Sequence, residues 1–195
     1  MGKKGRLILV RHGESEGNRD RIFTTTPAEL ALTDLGRSQA ADAAVKIGTR
    51  FAPELVISSP YLRARHTAEI IAAGLELPLK IEPHLHEREM GDLKGQPYDA
   101  VLRDQAYDPA RRWLWTPPGG ESFDDVKRRV APVIDRLARE HPGKELVIVS
   151  HGGVMLSLWA HVTGSWEDAI IPGNCEVIVI EHAAGRYHPP KVVNE

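Results

Sequence analysis

Cysteine occurs once in the 195 residues, at Cys175, so no internal disulfide framework can exist and the fold must rest on its core. That usage suits a reducing compartment, and a soluble cytoplasmic protein is the expectation. Excess charge of one sign is also lacking: 27 Asp and Glu stand against 25 Lys and Arg. With no dense basic run either, the chain has no field to gather nucleic acid or an anionic membrane, and any anion site must be local. No apolar run approaches the roughly 20 residues of a membrane span. Leu7 to Val10 is too short for a secretory core, and Arg6 stands where a myristoylation signal at Gly2 needs Ser or Thr. Neither Gly-x-Gly-x-x-Gly nor a Walker loop occurs. Repeats, linkers and a second core are absent. At 42% apolar the chain fits one domain, residues 1–195, large enough to bury about 70% of its unfolded surface.

What is present begins with Leu7-Ile-Leu-Val10, the pattern of a strand buried on both faces in a parallel sheet. It runs into Arg11 and His12, a cationic pair poorly suited to packing but standing where open α/β sheets bind ligands. Gly13 and Gly17 let backbone approach a ligand. Ser15 and Asn18 are short hydrogen-bonding groups able to hold an oxyanion.

Two further apolar runs end similarly. Leu55 to Ser59 is followed by Pro60, in the expected first turn of a helix that Gly74 ends, with Arg63 also in that turn. A cation there opposes the helix dipole unless an anion sits between them. Leu146 to Ser150 leads into His151-Gly152-Gly153 and a helix over Val154 to Val162, whose free amides form an anion site. Other expected elements are a helix from its N-cap Thr33 to about Thr49, a short strand over Leu79 to Ile81, and a helix opened by Ser122 and Asp125 and stopped at His141. A last strand, Val177 to Ile180, should lie near an edge, with an irregular tail after Ala183. Strands alternating with helices predict an α/β fold, a mainly parallel sheet covered by helices on both faces in one three-layer domain. Residues 92 to 121 are rich in Pro, Gly and Trp and read as a lid-like insertion. Trp113 and Trp115 there either pack the loop or wall the substrate site.

Arg11-His-Gly-Glu-Ser-x-x-Asn18 resembles the signature of the histidine phosphatase superfamily, which includes phosphoglycerate mutases and many small-molecule phosphatases. Five fixed positions at about five per cent each arise by accident on the order of once in ten thousand such sequences. Ser58-Ser-Pro-x-x-Arg-Ala-x-x-Thr-Ala68 resembles the family's second motif, Leu32-Thr-x-x-Gly36 matches its spacing, and the segment around Glu87 is similar to its proton-donor turn. The resemblance implies a phosphoglycerate mutase-like fold and a phosphohistidine intermediate. His12 is then the nucleophile and Glu87 the acid, with Glu89 a competing candidate. Arg11, Arg63 and His151 would hold the transferring group. Candidate substrate-binding positions are Ser15, Asn18, Thr24, Arg88, Arg111, Arg112 and Gly152.

The physical logic agrees with those roles. Phosphoryl transfer needs an in-line nucleophile, neutralised equatorial oxygens and an acid for the leaving oxygen. Arginine forks match phosphate oxygens, and neighbouring cations disfavour an imidazolium. A backbone carbonyl near Gly13 is expected to hold the other ring nitrogen of His12.

The preferred activity is hydrolysis of a small-molecule phosphomonoester, with no metal, cofactor, nucleic acid or membrane partner, by a monomer or homodimer. Arg111 and Arg112 ahead of Pro117 and Pro118 keep a mutase open. Phe23-Thr24-Thr25-Thr26 and Gly153 depart from the mutase pattern. Two other classes stay open: a metal enzyme using His12, His151 and Glu87, and a non-catalytic phospholigand-binding module. His66, His141, His161, His182 and His188 read as surface or packed residues, His84 and His86 as undecided, and Cys175 as a packing residue.

Overall fold

The computed structural model describes residues 4–23, 30–183 and 185–193. The apolar runs form the sheet expected of them: β1 (Gly5–Arg11), β2 (Leu55–Ser58), β3 (Leu79–Ile81), β4 (Glu145–Ser150) and β5 (Val177–Ala183). The order is β3-β2-β4-β1-β5, with β2, β3, β4 and β1 mutually parallel along the pairings and β5 antiparallel to β1. Leu146 of β4 pairs with both Leu7 and Leu55, so β1, β4 and β2 run level and their carboxyl ends share one rim.

Side-chain alternation divides the strands between two layers. On one face Leu7, Leu9, Ile57 and Ile148 pack against helices α4 (Phe123–Glu140) and α5 (Gly152–Thr163). On the other, Ile8, Val10, Val56 and Val149 meet α2 (Asp34–Arg50) and α3 (Leu62–Leu75). These last two helices meet the sheet through Ala43, Ala44, Ala64 and Ala68, small side chains that let them lie close. No described helix is long and apolar enough to cross a membrane.

Four expectations need correction. The tail is not irregular: β6 (Arg186–Tyr187) and β7 (Lys191–Val192) both pair with β5, whose outer edge otherwise presents unpaired backbone groups. Pro60 precedes α3 instead of sitting in it, because Tyr61 is the N-cap, and Gly74 lies inside the last turn where a Cβ would meet that of Ala44 at 3.0 Å. Helix α5 starts at Gly152, two residues earlier than the periodicity indicates, since glycines carry no apolar signal. A one-turn helix α1 (Glu16–Arg19), capped by Ser15, interrupts the opening loop. Helix α4 matches expectation, with Ser122 and Asp125 forming a reciprocal cap. Within 92–121 the backbone coils through 3₁₀ turns at Tyr98–Arg103 and Pro109–Arg111.

Candidate active site

His12 stands one residue past β1, its N–H donating to Ser150 O at 2.9 Å and so prolonging the β1–β4 ladder. The ring is buried, with Nδ1 2.8 Å from Gly13 O and Nε2 3.1 Å from Arg63 Nε. A carbonyl can only accept and a guanidinium can only donate, so these partners assign the proton to Nδ1 and leave a lone pair on Nε2. Burial first, then Arg63 and Arg11, hold the His12 pKa well below its ordinary 6.5, against a smaller opposing effect of the Gly13 carbonyl.

The turn carrying this ring is tightly built. Gly13 N–H donates to Thr67 Oγ1 at 3.0 Å, and a Cβ on Gly13 would lie 2.4 Å from Gly36 O. Gly36 is equally constrained, since its Cβ would stand 2.0 Å from Glu14 O, which gives the Leu-Thr-x-x-Gly spacing a packing role. Asn174 Nδ2 donates to His12 O at 2.9 Å and to Asn18 Oδ1 at 3.1 Å.

The arginines and the second histidine converge as the shared rim requires. His151, the N-cap of α5, has its ring centroid 5.1 Å from that of His12, and its Nε2 is 2.7 Å from Ser59 Oγ. Burial and then Arg63 hold its pKa well below 6.5 as well. Arg11 Nη1 donates to Pro172 O at 2.7 Å. Tyr61 packs edge-on against His151 at 5.2 Å and faces the Arg63 guanidinium at 5.2 Å. Arg11 Nε, Arg63 Nη1 and His151 Nδ1 are buried without a hydrogen-bond partner among the described residues. Such a cluster is costly until an anion balances it.

Glu87 approaches from beyond β3. It accepts from Arg88 N–H at 2.8 Å and from Gly153 N–H, in the first turn of α5, at 3.3 Å. Gly153 sits close to this carboxylate, because a Cβ there would lie 2.5 Å from Glu87 Oε1 and displace it. The competitor Glu89 is otherwise engaged: its oxygens take Tyr61 Oη–H at 2.8 Å and Lys94 Nζ at 2.7 Å. His86, undecided from sequence, lies 2.9 Å by Nδ1 from Glu87 O and stacks on Tyr61 at 6.0 Å.

Several of these groups line a cavity of about 480 Å³. Arg11, His12, Arg63 and Glu87 border it, as do Ser15, Asn18, Arg88, Arg112 and Gly152, while His151 is fully buried and does not line it. The Ser15 hydroxyl is already committed to Asn18 Oδ1 at 3.1 Å, capping α1. Arg111 is a correction: it is exposed, pairs with Asp108 at 3.0 Å and does not border this cavity, because the tight turn sends consecutive side chains in different directions. Thr24 lies outside the described residues. Trp115 lines the cavity, whereas Trp113 stacks on Trp166 at 5.9 Å. Among the remaining histidines, His161 pairs with Asp135 at 3.1 Å and His182 is buried against Gly5. Burial pushes the Cys175 thiol up to about 12, in keeping with a packing residue. Ser59, Tyr61 and Asn174 escaped sequence reasoning. Ser59 fell inside a recognised motif, but its partner lies 92 residues away; Asn174 sits in a loop without periodicity.

The buried imidazoles give stability a pH dependence with a definite sign. Both are neutral when folded, while the unfolded chain titrates near 6.5. Stability is therefore full above about 6.5 and declines below it, by at most about 1.4 kcal/mol per pH unit for each ring, until the depressed folded values are reached. Thermal melts from pH 7.5 to 5.0 should show a smaller acid loss in His151→Asn than in the parent protein. Equal slopes would contradict the neutral pair.

Comparison with known proteins bears on this geometry. A model of the histidine phosphatase superfamily (branch 1) matches residues 7–194. A metal-independent phosphoserine phosphatase of Arabidopsis thaliana is 35% identical over 164 residues, 80% of this chain and 68% of that protein. A 2,3-bisphosphoglycerate-dependent phosphoglycerate mutase of Nitrobacter winogradskyi is 32% identical over 162 residues, 78% of each chain. A mycobacterial glucosyl-3-phosphoglycerate phosphatase, solved with VO3, superposes with a TM-score of 0.84 at 26% identity over 97% of this chain and 98% of that one.

Proposed function

The chain belongs to the histidine phosphatase superfamily, and from that premise we propose that it hydrolyses small-molecule phosphomonoesters, with His12 carrying the phosphoryl group between two half-reactions. The observation that carries this reading is the neutral His12 ring, its proton fixed on Nδ1 by Gly13 O and its Nε2 lone pair set beside Arg63. An entering dianion takes the guanidinium's hydrogen bonds and frees Nε2 for in-line attack on phosphorus. Arg11, Arg63 and His151 then balance the equatorial oxygens. As the phosphorus–oxygen bond breaks, Glu87 gives a proton to the leaving alkoxide. The same carboxylate next takes a proton from a water that attacks phosphohistidine, releasing phosphate and restoring both groups.

Two observations favour hydrolysis over return transfer. Arg111 turns away from the cavity, so the adjacent arginines do not form a double clamp there. Gly153 lies against Glu87, whose carboxylate would have to shift to admit a side chain at that position. A cytoplasmic monomer or homodimer, with one domain over 1–195 and a lid at 92–121, is the setting that goes with this reading. The metal alternative meets Arg11 and Arg63, which would repel a divalent cation at His12.

The test is phosphate release from a panel of phosphomonoesters with chelator present and no bisphosphoglycerate added. Steady release is the expected result. Interconversion of 2- and 3-phosphoglycerate faster than release would establish the mutase instead, and loss of activity in chelator would favour the metal enzyme.

A further inference from the structure

The phosphate end explains only part of the cavity. At about 480 Å³ it falls in the range that holds ligands far larger than a three-carbon acid, which is roughly 300 to 1,000 Å³. Two aromatic pairs border the remainder: Phe23 with Tyr98, ring centroids 4.9 Å apart, and Tyr107 with Trp115, 5.1 Å apart. Part of the charge here is already engaged, although Arg88 Nη2 is buried without a partner among the described residues. Glu89 is matched by Lys94 and Tyr61. The Arg88 guanidinium lies 4.2 Å from the Phe123 ring and 5.0 Å from Trp115, with Nε bound to Glu121 O at 2.7 Å. Burial holds its pKa down to about 10. A small acid such as a phosphorylated hydroxy acid would meet the guanidiniums of Arg88 and Arg112 but leave these rings uncovered. A flat ring would stack on them, with Arg112, which also borders the cavity, as a polar handle at its edge.

Resting on the hydrolase reading, we propose that the substrate is a phosphomonoester whose leaving group carries a flat ring, seated against the aromatic pairs at Phe23 and Trp115. Aryl, heteroaryl and nucleoside groups all qualify, since stacking recognises the face that they share. Recognition by these rings is expected to raise kcat/KM by roughly tenfold to a hundredfold over an ester lacking one.

The comparison must not confuse recognition with leaving-group acidity, so 2-phenylethyl phosphate is set against ethyl phosphate, both alkyl esters. Phosphoserine and 3-phosphoglycerate complete the panel, and nucleoside 5′-monophosphates separate the ring sources. The expected result is at least a tenfold preference for the phenylethyl over the ethyl ester, falling to within about threefold in Phe23→Ala and in Trp115→Leu. Phosphoserine or 3-phosphoglycerate as the better substrate would overturn the ring subsite and leave the hydrolase standing. So would a preference that both variants retain. If no ester is hydrolysed by the folded protein, the hydrolase reading fails, and calorimetry with 2-phenylethylphosphonate against methylphosphonate then decides the subsite alone. Tenfold tighter binding of the former would support it, and equal binding would end it.

Discussion

His12→Ala should lower kcat by roughly four orders of magnitude or more, and no acid-labile phosphoenzyme should form from a labelled phosphomonoester. The size follows from what is removed. Arg11, Arg63 and His151 would still bind a dianion, but the atom that attacks phosphorus is gone. Water in its place would need a base, and Glu87 is committed to the leaving side in that half-reaction. Substrate affinity should change far less than turnover, because the cationic groups persist. Removing a buried ring also frees Arg63 Nε from its hydrogen bond to His12 Nε2, so the variant should bind orthovanadate and be stabilised by it. At a hundredfold excess over its dissociation constant that ligand contributes about 2.7 kcal/mol. A folded variant keeping more than about 1% of the parent rate would remove His12 from the nucleophile's role, and a labelled protein would do so more directly.

The centre of the sheet was legible because β1, β2 and β4 are buried on both faces and so read as uninterrupted apolar runs. The shared rim followed from that, and with it the meeting of His12, Arg63 and His151. Arg63 is instructive: its unfavourable place in the first turn of α3 signals a local requirement for an anion, and its Nε indeed faces His12. The failures have a common cause. Elements short of a periodic signal, such as the two-residue strands of the tail and the start of α5 at Gly152, are set by partners distant in sequence. Adjacency in sequence makes Arg111 and Arg112 look like a pair, yet a 3₁₀ turn separates their directions. Ser59, Tyr61 and Asn174 act by orienting other groups, and orientation depends on the folded path of the chain.

Glu87→Gln tests the other half of the chemistry and has a signature that depends on the substrate. Gln has nearly the same shape but can neither donate a carboxylic proton nor accept one from water. For an alkyl phosphate, whose alkoxide leaves poorly unless protonated, kcat should fall by about a hundredfold to ten-thousandfold. For p-nitrophenyl phosphate the phenolate leaves without help, so phosphorylation of His12 should be almost unaffected. Hydrolysis of phosphohistidine then becomes limiting, because Glu87 is also the base for the attacking water, and a burst of nitrophenolate equal to the enzyme present should precede a slow steady state. Glu89→Gln, which disturbs the links to Tyr61 and Lys94, should lower both substrates alike and by less than tenfold. The two carboxylates stand two residues apart in sequence and border the same cavity, and only the hydrogen bonds separate their roles. Glu87 has its carboxylate between the Arg88 and Gly153 amides, while Glu89 is held by a phenol and an ammonium. A burst in Glu89→Gln and none in Glu87→Gln would exchange them.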